Sequence, residues 1–377
     1  MPSRSYDAAV VGLGAMGSAT AWQLARRGLT VVGFDTFHPP HELGSSHGRS
    51  RIIREAYFEH PQYVPLVQRA YELWAQLEDA QRVRLFHASG GLMIGDPAGP
   101  LVVGARESAR QHGLPVQEWS SAEISARVPA IRPGADMVGL FEARAGVLTP
   151  ERAVTAMLDD AAAHGADLRF GRPVARVDAG GGAVRIDVAG ETITAGFAVC
   201  AAGGWLASLV PELDLPLTIE RAVQYWFARA ADDRFSPARF PVFILETSDD
   251  RLLYGLPDQG HGLKLAEHHG GRVSLRDDVD RRVDEGERHR FRELVAPYFP
   301  SLTPGPVDAS VCTYTNTPDG HFLLDRHPGH PEVYLLSACS GHGFKFAPAI
   351  GELVADDLAG APTRIDLERF RLARFIG

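Results

Sequence analysis

The stretch from Tyr6 to Asp35, YDAAVVGLGAMGSATAWQLARRGLTVVGFD, constrains the fold more than any other part of the chain. Its apolar start has the length of a buried strand and is too short for a helix. Gly12, Gly14 and Gly17 follow with G-x-G-x-x-G spacing. Glycine at these positions permits a tight turn, close approach of a pyrophosphate and packing of the next helix on the sheet. The sequence therefore predicts a strand that leads into a dinucleotide-binding turn.

A helix and a second strand complete this unit. The helix is predicted from about Ala15 to Arg27, and Gly28 suits its C-terminal end. Free N–H groups at the start of such a helix face the phosphates. A second apolar strand, Thr30 to Phe34, ends at Asp35, where a carboxylate can bind ribose hydroxyls. The motif predicts a dinucleotide site, but it does not distinguish FAD from NAD.

Composition excludes several classes of partner. The chain has 377 residues, of which 45% are hydrophobic, and a formal net charge of −9. Nucleic acid and anionic membranes are therefore not expected as partners. The three cysteines, Cys200, Cys312 and Cys339, have no CxxC spacing, and no HExxH pattern occurs, so no disulfide framework or metal site is predicted.

The uncharged stretch from Ala8 to Ala25 resembles a signal peptide or a membrane span. Its glycines, Thr20 and Gln23 dilute the hydrophobicity, and the nucleotide-binding turn explains the segment better. We therefore expect a soluble, cytoplasmic protein with no membrane partner.

A basic loop follows the second strand. The stretch TFHPPHELGSSHGRSRIIREAY is too rich in Pro, Gly, Ser and His for a regular element. It contains Arg49, Arg51 and Arg54, a high density of positive charge in an acidic protein. Taken alone, these residues favour a solvated loop. The alternative is an anion site for a flavin, a phosphate or a carboxylate.

The rest of the chain alternates between two patterns. Helices are predicted from Tyr63 to Leu77, after a capping box at Ser120, from Thr149 as N-cap to Gly165, and from about Pro348 to Leu358. Apolar strands of the nucleotide-binding layer recur near residues 167–201 and 333–337, whereas residues 217–317 read as a largely antiparallel sheet with one helix. The first and last thirds thus predict one α/β layer, interrupted twice by a sheet-rich domain.

Several stretches together resemble the family of FAD-dependent amine oxidases that includes sarcosine and N-methyltryptophan oxidases. The matching stretches are GLGAMG (Gly12–Gly17), SSHGRSRIIREAY (Ser45–Tyr57), YGLP (Tyr254–Pro257), GLKLAEHH (Gly262–His269), CTYTNTPDGHFLLD (Cys312–Asp325) and SGHGFKF (Ser340–Phe346). They span nearly the whole chain in the family's order, and it is their combination that is specific.

The resemblance implies an α/β fold with a glutathione-reductase-like, FAD-binding Rossmann domain and an α+β, mainly antiparallel substrate domain. The expected boundaries are 1–80, 147–216 and 320–377 for the FAD-binding domain, and 81–146 and 217–319 for the substrate domain. It also implies FAD joined through its 8α-methyl group to Cys312, an amino-acid substrate, O₂ as electron acceptor and H₂O₂ as product. The family favours a monomer.

Site roles follow from the same resemblance. Arg54 and Lys345 are expected to hold the substrate carboxylate, Tyr254 and His268 to line the substrate pocket, and Lys264 to serve oxygen reduction, with Arg51 beside the flavin. The residues expected to contact the cofactor are Gly12, Gly14, Ala15, Met16, Gly17, Asp35, Ser45, His47, Arg51, Val174, Ala202, Gly203, Trp205, Cys312, Gly341, Gly343, Phe344 and Lys345.

The chain departs from the family at two points. Arg49-Ser50 stands where an Asp-Thr pair is frequent, and Cys339 stands where an apolar residue is usual, which offers a second thiol for attachment. Single residues also have structural alternatives. Cys312 suits a small buried apolar position, Lys264 an edge strand at the surface, and His268 a structural role.

Two other functions compete. GLGAMG also resembles the fingerprint of nicotinamide-dependent hydroxyacid dehydrogenases, but their second half is helical, whereas this one reads as sheet. A non-catalytic flavin-binding subunit would need neither a carboxylate clamp nor an oxygen-activating lysine. The sequence leaves the substrate open among sarcosine, N-methyltryptophan, pipecolate, proline and glycated amino acids.

Overall fold

The structure, a computed structural model, describes residues 5–302, 304–362 and 365–375. The strands over these residues are β1 (Ser5–Val11), β2 (Val31–Phe34), β3 (Arg51–Ile53), β4 (Phe86–Ala88), β5 (Gly91–Gly95), β6 (Val116–Ser120), β7 (Val138–Glu142), β8 (Gly146–Leu148), β9 (Asp167–Arg169), β10 (Val174–Gly180), β11 (Ala183–Val188), β12 (Glu191–Cys200), β13 (Thr218–Phe227), β14 (Val242–Glu246), β15 (Leu252–Leu256), β16 (Leu263–His268), β17 (Val273–Ser274), β18 (Asp308–Asn316), β19 (Leu323–His327) and β20 (His330–Ser337). The helices are α1 (Ala15–Arg26), α2 (Tyr63–Gln81), α3 (Pro100–His112), α4 (Ser121–Arg127), α5 (Pro150–Ala163), α6 (Leu206–Leu209), α7 (Glu285–Val295) and α8 (Ala347–Leu358).

The first sheet contains the nucleotide-binding turn. Its centre has the strand order β20-β12-β1-β2-β9, and neighbouring strands in this run are parallel. β10 and β11 extend the sheet from β12 in antiparallel fashion, and β19 pairs antiparallel with β20. A parallel sheet with a glycine turn between β1 and α1 is the Rossmann arrangement. The predicted α/β layer is confirmed.

Helices α1, α2, α5 and α8 pack on one another beside this sheet and together supply most of the buried residues of its larger core. Trp22 of α1 is buried, and its indole N–H donates to the Asp160 carboxylate of α5 at 2.8 Å. The uncharged stretch Ala8–Ala25 is thus a strand and a helix of the core. Among the described residues, no helix combines the length and apolarity that a bilayer span requires.

The second sheet has the strand order β17-β13-β16-β15-β14-β5-β7-β6, with β18 along the other side of β13. β14 and β5 are parallel, and the other strand pairs described for this sheet are antiparallel. Helix α7 packs Phe291 on Tyr225, with ring centroids 4.1 Å apart. The predicted antiparallel sheet is confirmed, and two distant stretches of the chain, before and after residues 147–216, build it.

A third, small sheet with the order β3-β8-β4 corrects one prediction. The basic loop is predicted to be irregular, but Arg51–Ile53 pairs with Gly146–Leu148. Three residues carry no alternating pattern, and this strand exists because a partner from far along the chain supplies its hydrogen bonds. The residues just before this strand lie beside the second sheet, because the Gly48 and Ser50 carbonyls accept hydrogen bonds from Lys264 of β16.

Two predicted helix starts have different outcomes. Ser120 and Glu123 form the expected capping box. Thr149 occupies the N-cap position before Pro150, but its hydroxyl donates to the Leu85 carbonyl and caps no helix N–H group. The predicted cap chemistry at Thr149 is therefore wrong, because the side chain contacts Leu85, remote in sequence, and accepts from no N–H group of the first helical turn.

Candidate active site

A large cavity of about 350 Å³ lies at the carboxyl ends of the parallel strands. The turns after β1, β2, β12 and β20 meet there, and ligands of open α/β sheets bind at this edge. The predicted cofactor residues that line it are Gly12, Gly14, Ala15, Met16, Asp35, Ser45, Val174, Ala202, Gly203, Trp205 and Phe344. Its volume falls in the range of cofactor sites.

The glycine turn leaves no room for side chains. Gly12 has φ +89°, and a Cβ atom there would lie 2.7 Å from the Ala201 carbonyl oxygen. A Cβ atom on Gly17 would lie 1.7 Å from the Gly12 carbonyl oxygen. Gly17 therefore shapes the turn from behind and does not line the cavity.

Polar groups around the large cavity fit a dinucleotide. Asp35 is buried, and its carboxylate accepts hydrogen bonds from the N–H groups of Leu13 and Phe37, both at 2.8 Å. This holds the acid at the end of β2, where ribose hydroxyls would bind. The Thr315 hydroxyl is buried, lines the cavity and has no hydrogen-bond partner within the described protein. An unpartnered buried hydroxyl is costly, so it indicates a missing ligand or water.

A small cavity of about 90 Å³ adjoins the large one and shares Ser45, Cys339 and Phe344 with it. The predicted site residues that line it are Arg51, Arg54, Tyr254, His268, Gly341, Gly343, Phe344 and Lys345. Lys264, His47 and Cys312 are buried and are not among the lining residues of either cavity.

The predicted site residues that lie on strands share one face of the second sheet. Side chains alternate along a strand, so Lys264 and His268 of β16 point to the same side. Tyr254 is paired with Ala266 between them. Cys312 is paired with Ala222 of β13, whose face continues through Trp226, the partner of Lys264. Register therefore gathers residues from four strands.

Arg54 is buried and already has a carboxylate partner. Its Nη2 donates to both Glu59 oxygens, at 2.7 and 3.0 Å, and its Nη1 donates to the Ala56 carbonyl at 2.9 Å. The guanidinium lies over the Tyr57 ring. Although burial opposes ionisation of Glu59, Arg54 holds its pKa at about 2. The solvated alternative for the basic loop is therefore wrong for Arg54, which is buried and paired with a carboxylate.

Lys345 lies at the same cavity. Its Nζ donates to the His342 carbonyl at 2.6 Å and to the Tyr57 hydroxyl at 3.2 Å. Burial, reinforced by Arg54, lowers the pKa of Lys345 to about 7, while Glu59 acts in the opposite direction. The structure thus places both predicted clamp cations around one small space.

Lys264 is 1% exposed on an interior strand, so the surface alternative is wrong. Its Nζ donates to the carbonyls of Gly48 and Ser50 at 2.8 and 2.9 Å, and it lies 5.5 Å from the Trp226 ring centroid. Burial, with Arg51 nearby, lowers the pKa of Lys264 well below its usual value. The amine lies directly under the loop whose Ser50 lines the small cavity.

Arg51 joins the loop to the cysteine. Its guanidinium donates to the carbonyls of Ser45, His47 and Ser50, and Nη2 lies 3.7 Å from the Cys312 sulfur. Cys312 is buried in a cluster with Ala222 and Tyr314, and Cys339, which lines both cavities, packs against this cluster. The described geometry places two thiols near the junction of the cavities.

The aromatic wall of the small cavity includes His268, Tyr254 and Tyr314. The ring centroid of His268 lies 6.3 Å from that of Tyr254 and 5.7 Å from that of Tyr314. Burial, with His269 beside it, lowers the pKa of His268 well below its usual value, so the ring is neutral. Gly341 faces this ring, because a Cβ atom there would lie 2.8 Å from His268 Cε1.

Sequence reasoning missed several lining residues, above all Glu59, Gln224 and His342. His342 lies inside the SGHGFKF stretch and had a visible signal. Gln224 had none, because its position on the shared face depends on register. Its Oε1 is buried, and the described residues offer it no hydrogen-bond partner.

The departure at Arg49 is compensated locally. Arg49 Nη2 contacts Asp308 at 2.6 Å, and its guanidinium lies 4.4 Å from the Trp226 ring centroid. The extra charge is thus paired and half-exposed. No group of three or more His, Cys, Asp or Glu side chains among the described residues could hold a metal ion.

A dinucleotide cavity at the ends of a parallel sheet, next to a second sheet that carries buried cations, is typical of enzymes that use a bound dinucleotide cofactor. The sequence profile of the FAD dependent oxidoreductase family matches residues 7–357. The chain is 41% identical over 359 residues to the monomeric sarcosine oxidase of Streptomyces avermitilis, with 94% of each chain covered. It is 36% identical to N-methyl-L-tryptophan oxidase of Salmonella heidelberg, with 98% of this chain and 99% of that one covered.

Solved structures agree on the fold. Glycine oxidase from Geobacillus kaustophilus has a TM-score of 0.83 at 22% identity, with 100% of both chains covered. This protein therefore belongs to the FAD dependent oxidoreductase family. The nicotinamide-dependent hydroxyacid dehydrogenase alternative is wrong, because the family match extends through both sheets.

Proposed function

We propose that this chain oxidises small secondary amino acids with FAD and O₂ and releases H₂O₂. The observation that carries the proposal is the pair of buried cations, Arg54 and Lys345, at a small cavity that adjoins the dinucleotide cavity. The names of the relatives, sarcosine oxidase and N-methyl-L-tryptophan oxidase, support it.

The proposed division of labour follows the site. Bound FAD supplies the redox chemistry: the substrate loses a hydride from carbon and a proton from nitrogen, and O₂ takes up two electrons and two protons. Arg54 and Lys345 would hold the carboxylate by charge-assisted hydrogen bonds, which orients the α-carbon. Because both Glu59 oxygens already accept from Arg54 Nη2, the substrate would have to compete with Glu59 for this nitrogen. Tyr254 and His268 would wall the pocket, and Lys264 would supply positive charge for oxygen reduction.

The volume of the small cavity favours a small substrate. A cavity of about 90 Å³ is smaller than an apolar cavity of roughly 150 Å³ that binds benzene, a ring of six carbon atoms. Sarcosine has about six non-hydrogen atoms and N-methyltryptophan about sixteen, so the cavity suits the former. Ile52, Ile244 and the aromatic wall would have to move for an indole ring.

We also propose covalent attachment of FAD at Cys312. The motif match and the neighbouring Arg51 guanidinium support this position. Cys339 is the alternative, since its side chain reaches both cavities.

Sheet membership supports the proposed domain boundaries, because β9–β12, β19 and β20 join the first sheet, whereas β5–β7 and β13–β18 join the second. The name of the first relative supports a monomer. Cytoplasmic localisation stays a prediction.

One preparation tests these proposals. FAD-loaded protein is assayed for H₂O₂ with sarcosine, proline and N-methyl-L-tryptophan, and with glycine as the primary-amine control. We expect kcat/KM for sarcosine to exceed that for N-methyl-L-tryptophan at least about tenfold, since a poorly fitting side chain costs at least about 1.4 kcal/mol. No H₂O₂ from any secondary amino acid would refute the function, whereas a preference for N-methyl-L-tryptophan would refute only the size argument.

Acid precipitation of the same protein tests the linkage. The yellow colour should stay with the pellet, and the tryptic peptide containing Cys312 should carry the flavin mass. The same mass on the Cys339 peptide would relocate the attachment, and FAD released entirely to the supernatant would refute it.

A further inference from the structure

Lys345 stands at the end of a buried chain of hydrogen bonds that the proposed function does not use. Its Nζ lies 3.2 Å from the Tyr57 hydroxyl, and that hydroxyl lies 2.6 Å from His342 Nδ1. On the other side of the ring, His342 Nε2 lies 3.1 Å from the Gly320 carbonyl oxygen. All three side chains are at least nine-tenths buried.

The Gly320 carbonyl determines the direction of every bond in this chain. A carbonyl oxygen only accepts, so His342 Nε2 must carry a proton and donate. Burial lowers the pKa of His342 to about 3, so the ring is neutral and its Nδ1 must accept. Tyr57 then donates to Nδ1, which leaves its oxygen lone pairs for an N–H of Lys345.

The second protein acceptor of Lys345 is the His342 carbonyl, at 2.6 Å. Two N–H groups of the lysine are thus used by the protein in either protonation state. An ammonium has a third N–H, whereas a neutral amine has a lone pair in its place. Protonation therefore determines whether Lys345 offers a ligand a third N–H group or a lone pair.

We propose that Tyr57 and His342 are positioning residues, which orient Lys345 so that the N–H unique to its ammonium form faces the substrate carboxylate. The inference rests on the proposed role of Lys345 in the carboxylate clamp. It adds that carboxylate binding requires the protonated lysine. The hydrogen-bond chain sets the pH at which the lysine loses this proton.

Other charged groups face Lys345 from the surrounding elements. Arg51 of β3 and Arg54 in the following loop oppose its protonation, whereas Glu59 favours it. His268 of β16 is neutral, because burial lowers its pKa, and it adds no charge. Since the pKa of Lys345 is lowered to about 7, the protonated fraction falls as the pH rises through neutrality.

The test measures binding of methoxyacetate, a carboxylate without a titrating amine, to the FAD-loaded protein by calorimetry. For the wild-type protein, Kd should be constant below about pH 7 and rise by up to about tenfold per pH unit above it. Tyr57→Phe removes an acceptor of the ammonium, so the break should move to lower pH and Kd at about pH 7.5 should rise about tenfold.

Tyr63→Phe is the matched control. Its ring centroid lies 4.9 Å from that of Tyr57, but its hydroxyl bonds to His321 Nδ1 at 3.0 Å and not to Lys345. This variant should keep the wild-type pH break. A shift of the same size in both variants would overturn the proposal, because it would reflect general loosening of the core.

Substitutions at His342 separate positioning from packing. His342→Gln retains an acceptor and a donor and should keep the break near the wild-type pH, whereas in His342→Leu the break should move to lower pH, as in Tyr57→Phe. An unchanged pH break in Tyr57→Phe would refute the positioning role. If methoxyacetate binds the wild-type protein at no pH, or Lys345→Gln binds it as the wild type does, the clamp itself fails.

Discussion

The large and small cavities adjoin, but they are lined by different kinds of residue. About half of the residues that line the large cavity are small, such as Gly12, Gly14 and Gly203 at strand ends. The small cavity is walled by charged and aromatic side chains, such as Arg54 and Lys345, that the core holds in place. The large cavity thus depends on free space beside the backbone, whereas the small cavity depends on charged groups buried in a medium of low dielectric constant.

Added side-chain volume at the glycine turn should disrupt the large cavity. In Gly17→Ala, the new Cβ would meet the Gly12 carbonyl oxygen at 1.7 Å, so the turn must open. Overpacking of about 3 kcal/mol converts to a loss of FAD affinity of about 100-fold or more. Fluorescence titration of the apoprotein with FAD measures this loss.

Gly28→Ala is the control for Gly17→Ala, because Gly28 has positive φ but no atom lies within 4 Å of the place that a Cβ would take. It should cost about 1 kcal/mol of stability and leave FAD affinity unchanged. Equal effects on FAD affinity in the two variants would contradict the steric explanation.

The region behind the small cavity contains Lys264, and removal of its charge at nearly constant side-chain volume should impair the function of this region. In Lys264→Met, flavin reduction by substrate without oxygen should survive within a modest factor. Reoxidation by O₂ should slow at least about 100-fold, which corresponds to some 2.7 kcal/mol of lost stabilisation of the charge that develops on oxygen. Rapid-mixing absorbance at the flavin band separates the two half-reactions.

The pKa of Lys264 gives this prediction a pH signature. Burial lowers that pKa, so the ammonium is lost as the pH rises through a value below the usual one for lysine, and wild-type reoxidation should slow in that direction. Arg49→Met is the control, since Arg49 also lies over Trp226 but is paired with Asp308 at the surface. If Arg49→Met slows reoxidation and Lys264→Met does not, Arg49 performs the role.

The smallest expected effect concerns the clamp. Arg54→Gln should weaken binding of carboxylate inhibitors about tenfold or more while FAD stays bound, because one charge-assisted hydrogen bond is worth roughly 1.5–3 kcal/mol. The loss also leaves the Glu59 carboxylate facing Lys345 without its partner. Competitive inhibition constants report this effect.

Arg144→Gln is the matched control for Arg54→Gln. Arg144 pairs with Glu55 at 2.8 Å, but its side chain is half-exposed. Inhibitor affinity should not change in this variant. Wild-type affinity in both Arg54→Gln and Lys345→Gln would show that the carboxylate binds elsewhere.

Local patterns accounted for the elements whose interactions are close in the chain. The capping box at Ser120 and the positive φ of Gly28 depend on neighbours within one or two turns, and the unit around Gly12 has its glycines and apolar residues at short, fixed spacings. The cap chemistry at Thr149 and the strand Arg51–Ile53 were not accessible in this way. Their partners, Leu85 and Gly146–Leu148, come from distant positions.

The sequence by itself determined the dinucleotide turn, the two kinds of sheet and, through the motif order, the family. Those features follow from local sterics, from hydrophobic period and from residue types at set spacings. Tertiary structure alone decided that Glu59 forms an ion pair with Arg54 and that Gln224 lies on the shared face of the second sheet. It also decided that His342 and Tyr57 form hydrogen bonds in a chain that ends at Lys345. The reason is physical: partners of a buried charge are selected by packing and strand register between remote segments, and no local pattern encodes those distances.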